Sequence, residues 1–259
     1  MSELSGGDLP KGPERILGEN AKLPEMERFF GDLYGRRDSI YLPDREIRAQ
    51  LLYRGIDDLQ SAVRQKAWLP IYEVMCARIV SRIFSIARGV DNVSLTEGLA
   101  KKYPLEGCAY CGQMPCVCQE NRDPYQLSTP TTEQEQWSLR DWQEHLTKMY
   151  GEKNQQRGIN YILLRLGSEY GELISLERVI PRYSIDEVKD KYSLELADTM
   201  AWTIAAASML RVDLQKAVEK RYGNGCRACN QIPCVCPPHS FDQISKDDYG
   251  HILEASFHS

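Results

Sequence analysis

The sequence predicts an all-α protein made of two similar helical units, each of which ends in a small cysteine-rich metal knuckle. Three observations support this fold class. Hydrophobic residues recur at steps of two to four along most of the chain, as expected for amphipathic helices. No alternating run rich in Val, Ile and Thr reaches strand length. A motif with four cysteines occurs twice, as GCAYCGQMPCVC from Gly107 and as GCRACNQIPCVC from Gly225.

Length, composition and charge exclude several classes of protein. The 259 residues are 42% hydrophobic, which is enough apolar material for a buried core. The formal net charge of −5 argues against general nucleic-acid binding and against a polybasic membrane binder, which both need clustered Lys and Arg. The longest nearly apolar stretch, Met200–Leu210, is too short to span a bilayer, and the N-terminal residues do not resemble a secretory signal. We expect a cytoplasmic protein that does not bind membranes.

The repeat divides the chain into two units. The first unit covers residues 20–118 and the second covers residues 134–236. A polar segment that contains two prolines, residues 119–133, is predicted to link them. Residues 1–20 and 237–259 are tails to which no fold is assigned.

Each unit is predicted to contain four helices, the minimum for a helical bundle, and the two units are expected to pack as a pseudo-dimer. In the first unit the helices are expected near 24–36, 44–67, 70–88 and 94–103. In the second unit they are expected near 134–155, 158–179, 185–210 and 213–222.

The second unit carries two pairs of acidic residues with helical spacing. Glu169 and Glu172 are three residues apart in one predicted helix, and Glu195 and Asp198 are three apart in the next. The surrounding positions are mostly apolar, so four converging carboxylates would repel one another unless a cation neutralised them. Mg²⁺ prefers such oxygen ligands. The alternative is that these acids are solvated positions on amphipathic helices.

The segment from Trp137 to Asn224 resembles a known enzyme family. EYGE from Glu169, ELAD from Glu195, the length of the spacer between them and a later helix with a lysine are similar to the all-α nucleoside-triphosphate pyrophosphohydrolases of the MazG-like superfamily. The chain departs from the family at Ser168, where many members carry a further acid. The resemblance implies Mg²⁺-dependent hydrolysis of a nucleoside triphosphate to the monophosphate and pyrophosphate.

The resemblance also implies roles for individual residues. Glu169, Glu172, Glu195 and Asp198 would hold Mg²⁺, and Glu172 is the candidate that activates the attacking water. Phosphate-binding candidates are Lys220 and Arg221, whose alternative role is a solvated helix end. Trp137 and Trp142 are candidates for stacking on the base, and their alternative role is in the core.

The first unit is predicted to be a degenerate copy that supplies packing surface and a wall of the pocket. Two of its four acidic positions are non-ionic in this alignment, and the spacer between the two motifs is shorter than in the second unit. Because family members associate as dimers, a fused pseudo-dimer, and a homo-dimer of it, are expected. The alignment pairs Asp57 with Glu169, Gln60 with Glu172, Glu73 with Glu195 and Cys76 with Asp198.

The two cysteine motifs predict metal sites. Four soft ligands in the close spacing C-x2-C-x4-C-x-C suit a structural, tetrahedral Zn²⁺ ion. An iron–sulfur cluster and redox-active dithiols are the alternatives, and either each motif closes its own site or the two exchange ligands. Cys76 is expected in the core. The motif residues are Cys108, Cys111, Cys116 and Cys118 in the first unit, and Cys226, Cys229, Cys234 and Cys236 in the second.

A second class of function fits the same features. A non-enzymatic helical scaffold or nucleotide sensor could use its zinc knuckles to dock a protein or nucleic-acid partner. The complete set of four acids favours the enzyme, whereas the extra knuckles and the degenerate copy favour the scaffold.

Overall fold

The computed structural model describes residues 17–41, 45–89, 93–118, 127–179, 185–227 and 229–236. Within these ranges the chain forms α-helices and one short 3₁₀ turn (Gln134–Gln136), with no β-strand, which confirms the all-α prediction. Most of both predicted tails and residues 119–126 of the linker lie outside the described ranges. The helices are α1 (Leu23–Tyr41), α2 (Arg45–Arg64), α3 (Leu69–Arg88), α4 (Leu95–Lys102), α5 (Leu139–Val179), α6 (Ile185–Met209) and α7 (Leu214–Tyr222).

Helix α5 contains two of the predicted helices, joined across a kink. Gly158 adopts φ 77° and ψ 163° inside it, a conformation that glycine reaches without strain. The first half of α5 begins at Leu139, somewhat later than the sequence indicated. Ser138 and Asp141 explain this start, because Ser138 Oγ accepts a 3.2 Å hydrogen bond from the Asp141 amide and the Ser138 amide donates a 2.7 Å bond to the Asp141 carboxylate.

The last helix of each unit begins at the same kind of cap. Ser94 Oγ accepts a 3.2 Å hydrogen bond from the Glu97 amide at the start of α4. Asp213 accepts a 3.1 Å bond from the Lys216 amide at the start of α7. Such caps satisfy amides that have no partner within the helix, so both short helices have locally defined starts.

The long helices form hairpins within each unit, and the short last helix of each unit packs against the other unit. Helices α2 and α3 form one hairpin, and the second half of α5 forms another with α6. The short last helices pack across the molecule, α4 of the first unit against α6 and α7 of the second unit against α3. Each unit therefore contributes the short helix that covers a long helix of the other unit.

The two cysteine loops dock in the same reciprocal way. The Cys116 amide donates a 2.8 Å hydrogen bond to the carbonyl of Met149 on α5, and the Cys234 amide donates a 2.8 Å bond to the carbonyl of Leu33 on α1. Leu33 and Met149 are the residues that begin the sequence repeats LYG and MYG. The second loop thus packs on the first helix of the opposite unit, and the first loop packs at the equivalent position on α5.

One hydrophobic core extends through both units. Phe30 on α1 stacks on Phe84 of α3, with ring centroids 5.0 Å apart. The ring of Tyr222 on α7 contacts Phe30 edge to face at 5.2 Å. These rings belong to a single cluster of buried residues that also includes the apolar faces of α5 and α6. Burial of this apolar surface is the main force that holds the units together.

No helix in the described parts of the chain has an apolar stretch long enough to cross a membrane.

Candidate functional site

Three of the four predicted carboxylates form a cluster between α5 and α6. One oxygen atom each from Glu169, Glu195 and Asp198 lies within 4.8 Å of the other two. Glu195 and Asp198 share one face of α6 because they are three residues apart, and Glu169 faces them from the second half of α5. The cluster could hold a metal ion.

Glu172 lies in the same pocket but outside this group of three. Its side chain is exposed, one helical turn beyond Glu169 on α5. Its negative charge still contributes to raising the pKa of both Glu169 and Glu195. The structure therefore brings the four predicted acids together, with Glu172 at the solvent side.

Burial and mutual repulsion make the clustered carboxylates costly to ionise. Glu169 is only 3% exposed, and burial, followed by the charge of Asp198, raises its pKa to about 7 despite a 2.7 Å ion pair with Arg165. Burial also raises the pKa of Glu195, opposed by the charge of Lys102. Glu195 Oε2 is buried without a hydrogen-bond partner. A buried, unsatisfied oxygen among repelling acids fits a divalent cation with oxygen ligands.

Two residues of the first unit complete this site. Lys102, the last residue of α4, forms an ion pair with Asp198. Tyr103, which follows it, donates a 2.6 Å hydrogen bond from its hydroxyl to Asp198 Oδ1. Burial and the nearby Asp198 charge raise the pKa of Tyr103 well above its usual value, so it stays a donor. The packing of α4 on α6 accounts for this contribution from the opposite unit.

The acids form one wall of a pocket of about 390 Å³. Positive side chains from both units line the same pocket, so it combines a candidate cation site with groups suited to phosphate oxygens. Its other walls come from α6, from the first half of α5 and from the first cysteine loop. The positive residues are Lys102, Lys153, Arg157 and Arg165, and the aromatic residues are Tyr103, Tyr110, Tyr150 and Trp202.

The structure does not bring Lys220 and Arg221 to this pocket. Lys220 lies at the end of α7, where its ammonium group forms a 2.8 Å ion pair with Glu73 of α3. Arg221 donates a 3.2 Å hydrogen bond to the Tyr222 hydroxyl. Because α7 packs against the first unit, the lysine at the end of a short helix that lies beside the acids is Lys102 of α4.

Trp137 and Trp142 likewise do not line the pocket. Trp142 is completely buried, and its ring meets that of Trp137 at 4.7 Å between centroids. Both therefore take the core role that the sequence left as their alternative. The aromatic residue of α6 in the pocket is Trp202, four residues after Asp198. Its helical spacing from Asp198 is the signal that could have identified this position.

Among its described residues, the first unit has no acidic cluster at the equivalent place, and the residues there differ from those in the sequence alignment. The Ser81 hydroxyl lies 3.0 Å from the Tyr222 hydroxyl, as Asp198 lies beside Tyr103. This contact favours Ser81, rather than Cys76, as the counterpart of Asp198. Cys76 is completely buried in the core, as its apolar surroundings predicted.

The position of Ser81 also changes which residue corresponds to Glu195. Arg78, three residues before Ser81, takes the place of Glu195, and its guanidinium lies 3.4 Å from the carboxylate of Asp58. Glu73 instead pairs with Lys220. An internal ion pair thus stands where the second unit has its acids. Asp57 is exposed, and Gln60 donates a 3.4 Å hydrogen bond to the Leu163 carbonyl, which connects α2 to α5.

Each cysteine loop closes its own four-sulfur group. All four sulfur atoms of each loop lie within 4.8 Å of one another. The Sγ atoms of Cys108 and Cys118 are 3.8 Å apart, and those of Cys226 and Cys236 are 3.7 Å apart. A tetrahedron with Zn–S bonds of about 2.3 Å has edges of about 3.8 Å. Both groups could therefore bind a metal such as zinc, without exchange of ligands between them.

The first cysteine loop borders the pocket. Lys153 donates a 3.2 Å hydrogen bond to Cys116 Sγ, and the Tyr150 hydroxyl donates a 3.6 Å bond to Cys108 Sγ. Lys153 and Tyr150 both line the pocket, together with Tyr110 of the loop itself. One candidate metal site and the acidic cluster thus share a pocket wall.

Comparisons of the chain with protein-family models, with curated proteins and with solved structures give no match.

Proposed function

We propose that the protein is a Mg²⁺-dependent nucleoside-triphosphate pyrophosphohydrolase with a tandem MazG-like fold. One observation carries the proposal: three clustered carboxylates on two adjacent helices share one pocket with several positive side chains. This combination suits a metal-bound polyphosphate, because the acids hold the cation and the positive groups bind the remaining phosphate oxygens.

Glu169, Glu195 and Asp198 would hold the Mg²⁺ ion. When bound, Mg²⁺ polarises phosphate oxygens and neutralises their negative charge. Lys153, Arg157 and Arg165 line the same pocket and would bind phosphate oxygens, with Arg165 placed directly beside Glu169. Lys102, which pairs with Asp198, would bind phosphate oxygens when substrate is present, and the Tyr103 hydroxyl would keep Asp198 oriented.

Glu172 is the candidate general base. It is exposed, so it reaches solvent water more readily than the buried Glu169. In the proposed reaction Glu172 accepts a proton from a water molecule whose oxygen attacks the α-phosphorus. The bond from the α-phosphorus to the bridging oxygen breaks, and the products are the nucleoside monophosphate and pyrophosphate.

The first unit would act as a degenerate partner in a fused pseudo-dimer. It lacks the acids, since Arg78 and Ser81 stand at the equivalent positions on α3. It supplies Lys102 and Tyr103 to the single active site. This division of work explains why the second unit needs the first.

We also propose that each cysteine group holds one Zn²⁺ ion. The sulfur separations are 3.8 Å in the first group and 3.3, 3.7 and 4.0 Å in the second, and they lie around the edge of about 3.8 Å of a tetrahedron around a single ion. An iron–sulfur cluster distributes its thiolates over several iron atoms, which spreads the sulfur atoms farther apart. Redox-active dithiols need no such tetrahedral grouping.

The experiment is an assay of pyrophosphate release from a panel of ribo- and deoxyribonucleoside triphosphates with Mg²⁺. We expect release by the wild type, and loss of it in Glu195→Gln and Glu172→Gln. Glu73→Gln is the matched control, because Glu73 pairs with Lys220 outside the pocket and its loss should leave release unchanged. Release that persists in both site variants, or is absent from the wild type, would refute the proposal.

A second candidate function is a nucleotide sensor or scaffold without catalysis. The ion pairs of Lys102 with Asp198 and of Arg165 with Glu169 favour it, because they partly neutralise the acids without a metal. This function predicts nucleotide binding that does not require Mg²⁺ and produces no pyrophosphate. Calorimetry with and without Mg²⁺, beside the release assay, separates the two functions.

A further inference from the structure

An aromatic residue of the first cysteine loop lines the pocket. Tyr110 lies between Cys108 and Cys111, is 39% exposed, and borders the same cavity as the acidic cluster. The neighbouring Ala109 also lines it. The loop has no helix or strand, so its shape depends on turns, on docking and on its sulfur ligands.

The two loops differ at this position. They share all four cysteines and the PCVC ending, yet the residue that precedes the second cysteine is Tyr110 in the first loop and Ala228 in the second. The second loop docks on α1, away from the acids, through the Cys234 amide. The aromatic ring is therefore present in the loop that faces the pocket.

The first loop is connected to the pocket through the side chain of Lys153. Its ammonium group contacts Cys116 Sγ at 3.2 Å and also binds the Cys118 carbonyl, while the same residue lines the cavity. Arg37 occupies the equivalent position on α1, where it lies over the Tyr34 ring at 3.8 Å and pairs with Asp38 at 2.9 Å. In the first loop, Lys153 joins the sulfur ligands to the pocket.

We propose that the four-cysteine group of the first loop is a Zn²⁺ site that builds a wall of the pocket, and that Tyr110 stacks there on the base of the bound nucleotide. The proposal rests on the proposed function and deepens it. Positive groups and Mg²⁺ account for the triphosphate, whereas the base needs a flat apolar surface. Zinc fixes the loop by crosslinking four positions that are close together in the chain, which holds the ring of Tyr110 in place.

Two probes separate the base from the phosphates. Inorganic triphosphate occupies only the ionic part of the pocket, whereas α,β-methylene nucleoside triphosphates add a base and sugar and resist cleavage at the α-phosphorus. Calorimetry with Mg²⁺ on the full chain gives both affinities, and metal analysis gives the zinc content. The variants are Tyr110→Ala, Cys111→Ser and the matched control Cys229→Ser in the second loop.

We expect two Zn²⁺ ions per chain in the wild type and one in each cysteine variant. Tyr110→Ala should keep both ions, weaken nucleotide binding about 10-fold and leave inorganic triphosphate binding unchanged. Cys111→Ser should weaken nucleotide binding by at least as much, whereas Cys229→Ser should not. Tyr110→Ala keeps the test decisive even if Cys111→Ser fails to fold.

Three results would overturn the inference: unchanged nucleotide affinity in Tyr110→Ala, equal effects of Cys111→Ser and Cys229→Ser, or a wild type without zinc. The first two leave the proposed function standing if the wild type binds both probes. If the wild type binds neither probe, the proposed function is overturned together with the inference.

Discussion

Tyr103 donates a 2.6 Å hydrogen bond to Asp198, although the two residues belong to different units. The same relationship occurs on the other side of the molecule, where the Tyr222 hydroxyl lies 3.0 Å from that of Ser81. The two tyrosines follow or end the short last helices, which are exchanged between the units. The acidic cluster lies within the second unit, and the first unit completes its surroundings through Lys102 and Tyr103.

Removal of the Tyr103 hydroxyl should affect stability and catalysis, whereas removal of its counterpart should affect stability alone. Tyr103→Phe loses its hydrogen bond to Asp198, and Tyr222→Phe loses its contacts with Ser81 and Arg221. Each lost hydrogen bond should cost about 1 kcal/mol in the free energy of unfolding. Only Tyr103→Phe should also lower pyrophosphate release, because Asp198 loses its orienting donor. Urea denaturation and the release assay check both effects. Equal activity in the two variants would contradict the assignment.

Loss of the Lys102 charge should move metal and nucleotide binding in opposite directions. In Lys102→Met the carboxylate of Asp198 no longer has its ammonium partner, so Mg²⁺ should bind more tightly in the absence of nucleotide. Nucleotide affinity should fall about 10-fold because a phosphate-binding charge is missing. Calorimetric titration with Mg²⁺, and then with nucleotide, measures both. Lys220→Met is the control and should change neither affinity, since Lys220 pairs with Glu73.

Two acidic substitutions in α3 test whether Cys76 or Ser81 is the counterpart of Asp198. Cys76→Asp places a carboxylate at a completely buried position, which should cost about 3–5 kcal/mol of unfolding free energy. Ser81→Asp places it at a position that is also buried but lies beside the Tyr222 hydroxyl, which can donate to it, so it should cost clearly less than Cys76→Asp. Urea denaturation followed by circular dichroism compares the two. Similar costs would show that Ser81 is not the counterpart of Asp198.

The stability of the Mg²⁺-free protein should depend on pH in the acidic range. Folded Glu169 keeps its proton up to its raised pKa of about 7, whereas an unfolded glutamate loses it near 4.5. Between these values the folded state binds more protons, so the free energy of unfolding falls as pH rises. Glu169→Gln should make this slope smaller, and Mg²⁺ should oppose the decline near pH 7 because it binds the carboxylate. Thermal or urea denaturation across this range measures the slope, and an identical slope in the variant would contradict the assignment.

Glu27 provides an independent check on the source of the slope. Burial raises its pKa to about 7 as well, at a place on α1 where it accepts a 3.1 Å hydrogen bond from the Leu95 amide. Glu27→Gln should therefore also make the slope smaller, but Mg²⁺ should still stabilise that variant near pH 7. A Mg²⁺ effect that disappears with Glu27 would place the ion elsewhere.

Features that depend on neighbours in the chain could be predicted from the sequence by itself. The helices follow the periodicity of apolar residues, and Glu195 and Asp198 share a face because they are three residues apart on one helix. The two motifs indicated metal sites because the four cysteines of each are close together in the chain, although the sequence left open whether the motifs exchange ligands. In each case a short segment contains the information, so no knowledge of packing is needed.

Only the tertiary structure decided which unit supplies the remaining residues of the site. The sequence pointed to Lys220 and Arg221, but α7 packs on α3, and α4 brings Lys102 and Tyr103 to Asp198 instead. Similar short helices end both units, so local sequence does not specify against which unit each one packs. That choice depends on burial of apolar surface summed over the assembled units, which also left Trp142 in the core and brought Tyr110 to the pocket.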